Sequence, residues 1–239
     1  MRYLSILLPI LLSACNAHQA PMLGDGKPGL NVAIAALSGG SPDLALNVST
    51  SVLSQDPRNV SALVIRGDSL SALGRPEEAS ASYAEAITAD PANTGAQIGL
   101  GRLRLRSDPA QAQLLFLEVL QREPRNAVAL NDLGVSYDLQ GNHASAQAAY
   151  RKALGSDPTR RATEVNLALS MALSGQASKA VPLLRPLVAV AGSTRLERHD
   201  LAVALAMSGD RDGASQILSA DLSPEQVQAA LRGYAALGQ

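Results

Sequence analysis

The sequence predicts an all-α fold: a superhelix of about five to six helix–turn–helix repeats, closed by a C-terminal capping helix. Three observations predict it. Gly40, Gly74, Gly141, Gly175 and Gly209 fall 34, 67, 34 and 34 residues apart, the middle interval being two repeats with one residue missing. Pro57, Pro91, Pro124 and Pro158 keep a second phase of 34, 33 and 34. Residues 127–160 carry one well-formed unit, Leu130-x-x-Leu133-Gly134-x-x-Tyr137, then Ala146-x-x-x-Tyr150, then Pro158. A 34-residue period fits two short helices and their turns, which bury their apolar faces only by stacking on their neighbours. That replaces the one or two globular domains that a length of 239 residues would suggest.

Each position of the unit has a steric task. Gly134 and Ala146 let the two helices approach closely, and Tyr137 and Tyr150 fill the space between them. Pro158 ends the unit and is expected to start the next helix in its first turn. This pattern resembles the tetratricopeptide repeat (TPR), with Leu130 where that family often has Trp. A branched side chain at Gly134 is expected to overpack the hairpin. Ala, which the family accepts there, is expected to be far milder.

Composition narrows the function. The net charge is −1, so no global field draws in nucleic acid or acidic lipid. Lys27, Lys152 and Lys179 are the only lysines. There is no Trp and one Phe, so no ladder of aromatics interleaves with cations to stack bases. A single cysteine, Cys15, rules out an internal disulfide and a cysteine-based metal cluster.

The N-terminus reads differently from the rest. Residues 1–14 carry one Arg, then an apolar run from Tyr3 to Leu12 that is too short to span a bilayer but suits a signal peptide. The run ends in Leu12-Ser13-Ala14-Cys15, which resembles a bacterial lipoprotein box. That resemblance implies cleavage before Cys15 and acylation of its sulfur and new amine. Several acyl chains at about 0.8 kcal/mol per buried methylene would hold the protein on a membrane. Asn16, where the family's retention signal is Asp, points to the outer membrane. Residues 15–29 then read as a lipidated flexible tether, rich in Gly, Pro and polar residues. His18 lies within it with no second ligand nearby.

The repeats occupy 30–220. In repeat one, helix A is expected over 30–37, and Gly39-Gly40-Ser41-Pro42 turns into helix B with Ala45. Repeat two holds Leu63, Gly67, Leu70, Gly74, Ala79, Tyr83 and Pro91. Its Glu77 and Glu78 read as first-turn charges, not as a catalytic pair. In repeat three, Leu100, Gly101, Ala112 and Phe116 keep phase, Ser107-Asp108-Pro109 replaces the glycine turn, and Arg102, Arg104 and Arg106 fan around the helix. Repeat four is the unit described above. Repeat five has Leu167, Ala168, Met171, Gly175, Ala180 and Leu184, with Pro182 and Pro186 expected to kink or shorten helix B. Repeat six has Leu201, Ala202, Leu205, Gly209, Ala214 and Leu218. Residues 221–239 form the capping helix, with Ser223 as N-cap and Pro224 at N1.

No catalytic set emerges. The chain lacks a phosphate loop, a Gly-x-Ser-x-Gly elbow and any His pair with helical metal spacing. His143 beside a turn is expected to be exposed, and His199 is expected on the groove side next to Asp200. No cofactor, metal or small-molecule substrate is implied; binding to protein is. By the family's geometry, the concave face takes helix-A positions 2, 5, 9 and 12. The candidate partner-binding groove is then Val64, Ile98, Asn131, Val135, Val165, Leu169, His199 and Val203. It is mostly apolar and lacks the Lys and Asn set that clamps a C-terminal carboxylate, so an apolar helix or strand of a partner is expected there.

A lipoprotein with five to six such repeats is similar to the TadD-type proteins of the tight-adherence (Flp) pilus apparatus. The end of the chain carries the likeness: Arg198-His199-Asp200-Leu201-Ala202-x-Ala204-Leu205-Ala206-x-x-Gly209, then Asp221-Leu222-Ser223-Pro224-Glu225, then a helix with Tyr234. The family commonly has Asn at the place of Asp200, and a later Asn is replaced near Ala230. The resemblance implies a pilotin-like scaffold on the periplasmic face of the outer membrane, binding the secretin or other pilus assembly components. Competing readings are a TPR lipoprotein scaffold for outer-membrane assembly or cell-envelope enzymes, and an envelope hydrolase or its regulatory subunit.

Overall fold

The computed structural model describes residues 28–190 and 192–235, which are all helix and turn. The leader of 1–14, the acylation residue Cys15, His18 and the tether up to Lys27 lie outside the described residues. Those up to Pro124 form one compact unit and those from Arg125 another, where the sequence read as one uninterrupted stack. The division falls between repeats three and four and cuts no hairpin, as expected when each hairpin packs mainly on its sequence neighbours.

The first unit holds α1 (Pro28–Ser38), α2 (Pro42–Gln55), α3 (Val60–Ala72), α4 (Pro76–Ala89), α5 (Thr94–Arg104) and α6 (Pro109–Arg122). The second holds α7 (Ala127–Leu139), α8 (His143–Ser156), α9 (Arg161–Met171), α10 (Ala177–Ala189), α11 (Arg195–Met207), α12 (Arg211–Leu218) and α13 (Pro224–Ala235). Five intra-repeat turns use Gly40, Gly74, Gly141, Gly175 and Gly209 at φ between 72° and 95°, the left-handed region that a side chain disfavours. Repeat three does without: the Asp108 side chain accepts from Gln111 N at 3.0 Å and caps α6 directly, which accounts for the missing residue.

The prolines divide into two sets. Pro42, Pro76, Pro109 and Pro224 are the first residues of their helices, where a missing N–H costs nothing. Pro57, Pro91, Pro124 and Pro158 do not start the next helix. They lie in the turns before it, and the helix opens two or three residues later. Asn59, Asn93 and Asn126 stand at that opening, and their side chains accept from Ala62, Ala96 and Ala129 N at 3.0, 2.9 and 2.9 Å. In repeat five Arg160 takes this place and makes no cap bond.

Helix A and helix B meet through an aromatic ring laid on bare backbone. A Cβ on Gly134 would stand 2.4 Å from Tyr150 Cε1; one on Gly67 would stand 2.5 Å from Tyr83; one on Gly101 would stand 2.5 Å from Phe116. Tyr83 is wedged further, since Gly99 of α5 also touches its ring. Repeats five and six have Ala168 and Ala202 where these glycines stand, and there helix B supplies Leu184 and Leu218 instead of an aromatic. The expectation that alanine at Gly134 would be mild is therefore corrected: with Tyr150 fully buried opposite, even a methyl group has no room.

Pro182 and Pro186 leave α10 with 13 residues against 14 in α8, so the helix is neither broken nor much shortened. Both prolines are exposed, as is Ser178. Their four-residue spacing puts the freed carbonyls of 178 and 182 on the solvent side, where water satisfies them.

Two outcomes follow. Gly134→Ala is expected to cost ~1–3 kcal/mol by overpacking, and pairing it with Tyr150→Leu should recover part of that loss, because the pair then matches Ala168 with Leu184. Urea denaturation of the two singles and the double gives the coupling energy. Arg160→Asn should raise stability by about 1 kcal/mol by restoring the N-cap of α9, read in the same titration.

Candidate partner-binding face

The expected groove residues lie in two separate units and differ in access. In the first, Val64 on α3 is half-buried and Ile98 on α5 is buried. Beside them the Tyr83 hydroxyl donates to Asp68 Oδ1 at 2.6 Å, and burial, with Asp68 adding to it, holds the phenol well above its usual range. Arg102 brings the nearby positive charge. Arg104 and Arg106 are exposed.

In the second unit the row is shut. Asn131, Val135, Val165, Leu169 and Val203 are at most 4% exposed, and His199 is half-buried. The expectation that Val135 and Leu169 point into an open groove is therefore corrected: they are core. What remains reachable is one turn earlier on each helix A. Val128, Ala162 and Leu196 stand 34 residues apart on α7, α9 and α11, and all are half-buried.

A polar cluster explains part of this closure. Asp138 on α7, 4% exposed, accepts from Ser170 Oγ of α9 at 2.7 Å and from the Tyr150 hydroxyl of α8 at 2.9 Å. His143 Nδ1, at the start of α8, lies 2.8 Å from the same carboxylate. His143 is thus half-buried and engaged, not exposed as the sequence suggested. One carboxylate so ties three consecutive helices. Asn131, expected to offer its amide to a partner, spends it inward: Asn166 Nδ2 donates to Asn131 Oδ1 at 3.0 Å, and Asn131 Nδ2 donates to Asp132 Oδ1 at 3.1 Å. The sequence did carry a signal, since Asn131, Asp132, Ser136 and Asp138 are unusually many polar residues for one short helix that is buried nearly all round.

The outer charges are solvated pairs. Glu78 accepts from Arg75 Nε and NH2, both at 2.7 Å, and that contact holds its carboxyl below the usual range. Arg198 binds Asp221 through two bonds of 2.7 and 2.6 Å. Burial pushes Glu197 up, but bonds from Arg161 and from Thr194 outweigh it and leave it lowered. Burial, then the Arg195 charge, lowers His199, so its ring is neutral at pH 7. Among the described residues no group of side chains is placed to hold a metal ion, and no helix is long and apolar enough to cross a membrane.

A tetratricopeptide-repeat family model matches residues 30–94 and 98–161. No curated protein matches the chain significantly in sequence. Solved structures do match in fold. One is PilW, described as a widely conserved type IV pilus biogenesis factor, at 20% identity over 85% of this chain and 96% of that one, TM-score 0.73. Another is PilF of Pseudomonas aeruginosa, at 16% identity over 92% and 97%, TM-score 0.68. A third is the Cut9–Hcn1 assembly of the APC/C, at 16% identity over 97% and 46%, TM-score 0.76.

Asp138→Ala would leave three donors without their acceptor, and a loss on the order of 3 kcal/mol is expected. Val135→Glu with Leu169→Glu should unfold the second unit outright, because two unpaired charges would enter the core. Circular dichroism melts of both variants check this; a folded double-Glu variant would show that the row is open after all.

Proposed function

The chain belongs to the tetratricopeptide-repeat family, and on that footing we propose that it is a non-catalytic scaffold lipoprotein that binds a protein partner of pilus assembly. In this reading acyl chains on Cys15 anchor it to the periplasmic face of the outer membrane, and residues 15–29 tether the repeats to that anchor. The partner is the secretin or another component of the tight-adherence (Flp) pilus system. No nucleic acid, cofactor or small-molecule substrate is involved.

The observation that carries the reading is a lipoprotein box leading into helical repeats whose fold matches two type IV pilus proteins over nearly their whole length. The reachable part of the face also suits it. Val64 in the first unit and Val128, Ala162, Leu196 and His199 in the second give apolar contacts at helix-A positions. The buried residues of the row, Ile98, Asn131, Val135, Val165, Leu169 and Val203, hold the helices that carry these contacts.

Cys15→Ala is expected to leave a folded protein that no longer sediments with outer membranes and takes up no labelled palmitate. Label absent from the parent as well would sink the anchor. Val128→Glu with Leu196→Glu should melt within a few degrees of wild type, since both side chains are half in water, yet lose co-precipitation of the secretin from solubilised envelopes. Glu77→Lys is the control expected to bind. If the groove variant still captures the partner while the control does not, the turn edge is the site. Capture of outer-membrane assembly factors in place of pilus components would favour the competing scaffold reading.

A further inference from the structure

Asp200 of α11 has no evident place in a binding scaffold. It is 1% exposed, and its Oδ1 is buried without a hydrogen-bond partner. It lies where α13 closes the second unit: α13 packs on α11 and α12 and buries Val227, Leu231 and Tyr234. The Tyr234 phenol feels the Asp200 charge, which adds to burial in raising it.

No cation neutralises this carboxyl. On its own helix, Glu197 one turn earlier is of like sign and is bonded to Arg161 of α9. Arg198 is committed to Asp221. His199 is neutral at pH 7, held down by burial and Arg195, and its Nε2 is buried without a partner. From α9 the same position 34 residues earlier is Asn166, uncharged, with its own Oδ1 unpartnered. The charged side chains of α10, Lys179 and Arg185, and of α12, Arg211 and Asp212, are exposed. From α13 the facing group is Tyr234. A buried carboxylate with neither cation nor donors is far more costly than the neutral acid.

We propose that the proton on Asp200 seats the C-terminal helix: the neutral carboxyl lets α13 close over α11, and ionising it loosens that contact. Ionisation would bring a bare charge to the seam beside Tyr234, and water would have to enter to solvate it. Burial first, and Glu197 second, push the carboxyl from 3.8 up to about 8. The folded chain therefore holds this proton where the unfolded chain has released it. Between those two values folding takes up a proton, so stability falls as pH rises through the window and levels off above it.

The test is an NMR titration of the Asp200 side-chain carboxyl carbon, with hydrogen-exchange protection factors over 224–235 in wild type and Asp200→Asn. The carboxyl is expected to titrate near 8. Protection in α13 should fall roughly tenfold or more between about pH 6 and pH 9 in wild type and stay level in Asp200→Asn, whose amide cannot ionise. A carboxyl titrating near its ordinary value, or an equal loss of protection in both proteins, overturns the proposal. If the Asn variant does not fold, the wild-type pair of measurements decides: a high titration with no matching loss of protection in α13 also overturns it.

Discussion

The contact on which the first four hairpin-forming repeats with a ring depend is an aromatic face pressed onto a helix that has no side chain there. Three of the six hairpins use it, with Tyr83, Phe116 and Tyr150 against Gly67, Gly101 and Gly134. Helix separation is set by the ring's thickness, so the two partners cannot vary independently. The chain shows this internally. Where the glycine becomes Ala168 or Ala202, the ring becomes Leu184 or Leu218; in repeat one, Ala33 faces a helix B with Ser49 at the ring's place. Similar separation is reached by different divisions of one volume, as close packing requires.

Much of the fold was legible because the markers are backbone demands. A left-handed turn needs glycine whatever surrounds it, so the Gly40 to Gly209 phase translated directly into turns. The asparagine caps were equally visible, since Asn59, Asn93 and Asn126 keep the same period, but the prolines just before them drew the eye. Less was legible at the candidate face. Position numbers say which side of a helix a residue occupies, not how near the next helix comes. Val135 and Leu169 were rightly placed on helix A, yet neighbouring helices close over them. His143 was misjudged for a related reason: its partner Asp138 lies across the turn, and a turn residue's burial depends on what the preceding helix presents.

The two units solve their interiors differently. In the first the buried side chains of α3 are mainly apolar or small, with Tyr83 reaching out to Asp68 at the edge. In the second, Asp138, Asn131, Asn166 and Ser170 run through the packed faces of α7, α8 and α9. A buried polar network fixes one arrangement of its helices, because any shift strands a donor or acceptor. Repeats four and five are therefore held in register by directed bonds, whereas α13 at the end is held by three buried apolar or aromatic side chains next to an unpaired acid.

That division bears on how such a face could bind. With the valines and leucines of the middle repeats consumed as core, each helix A offers a partner little more than one half-buried side chain, such as Val128 or Leu196. Burying the rest of one such side chain contributes about 1 kcal/mol, so no single repeat can hold a partner alone. Affinity has to accumulate over several repeats kept in fixed register, which is what the Asp138 cluster provides. An acylated tether would help for the same reason. Confining both proteins to one membrane surface raises their effective concentration, so a modest sum of contacts suffices. A rigid polar interior, a thin row of apolar contacts and a membrane anchor are then three parts of one solution to binding without a deep pocket.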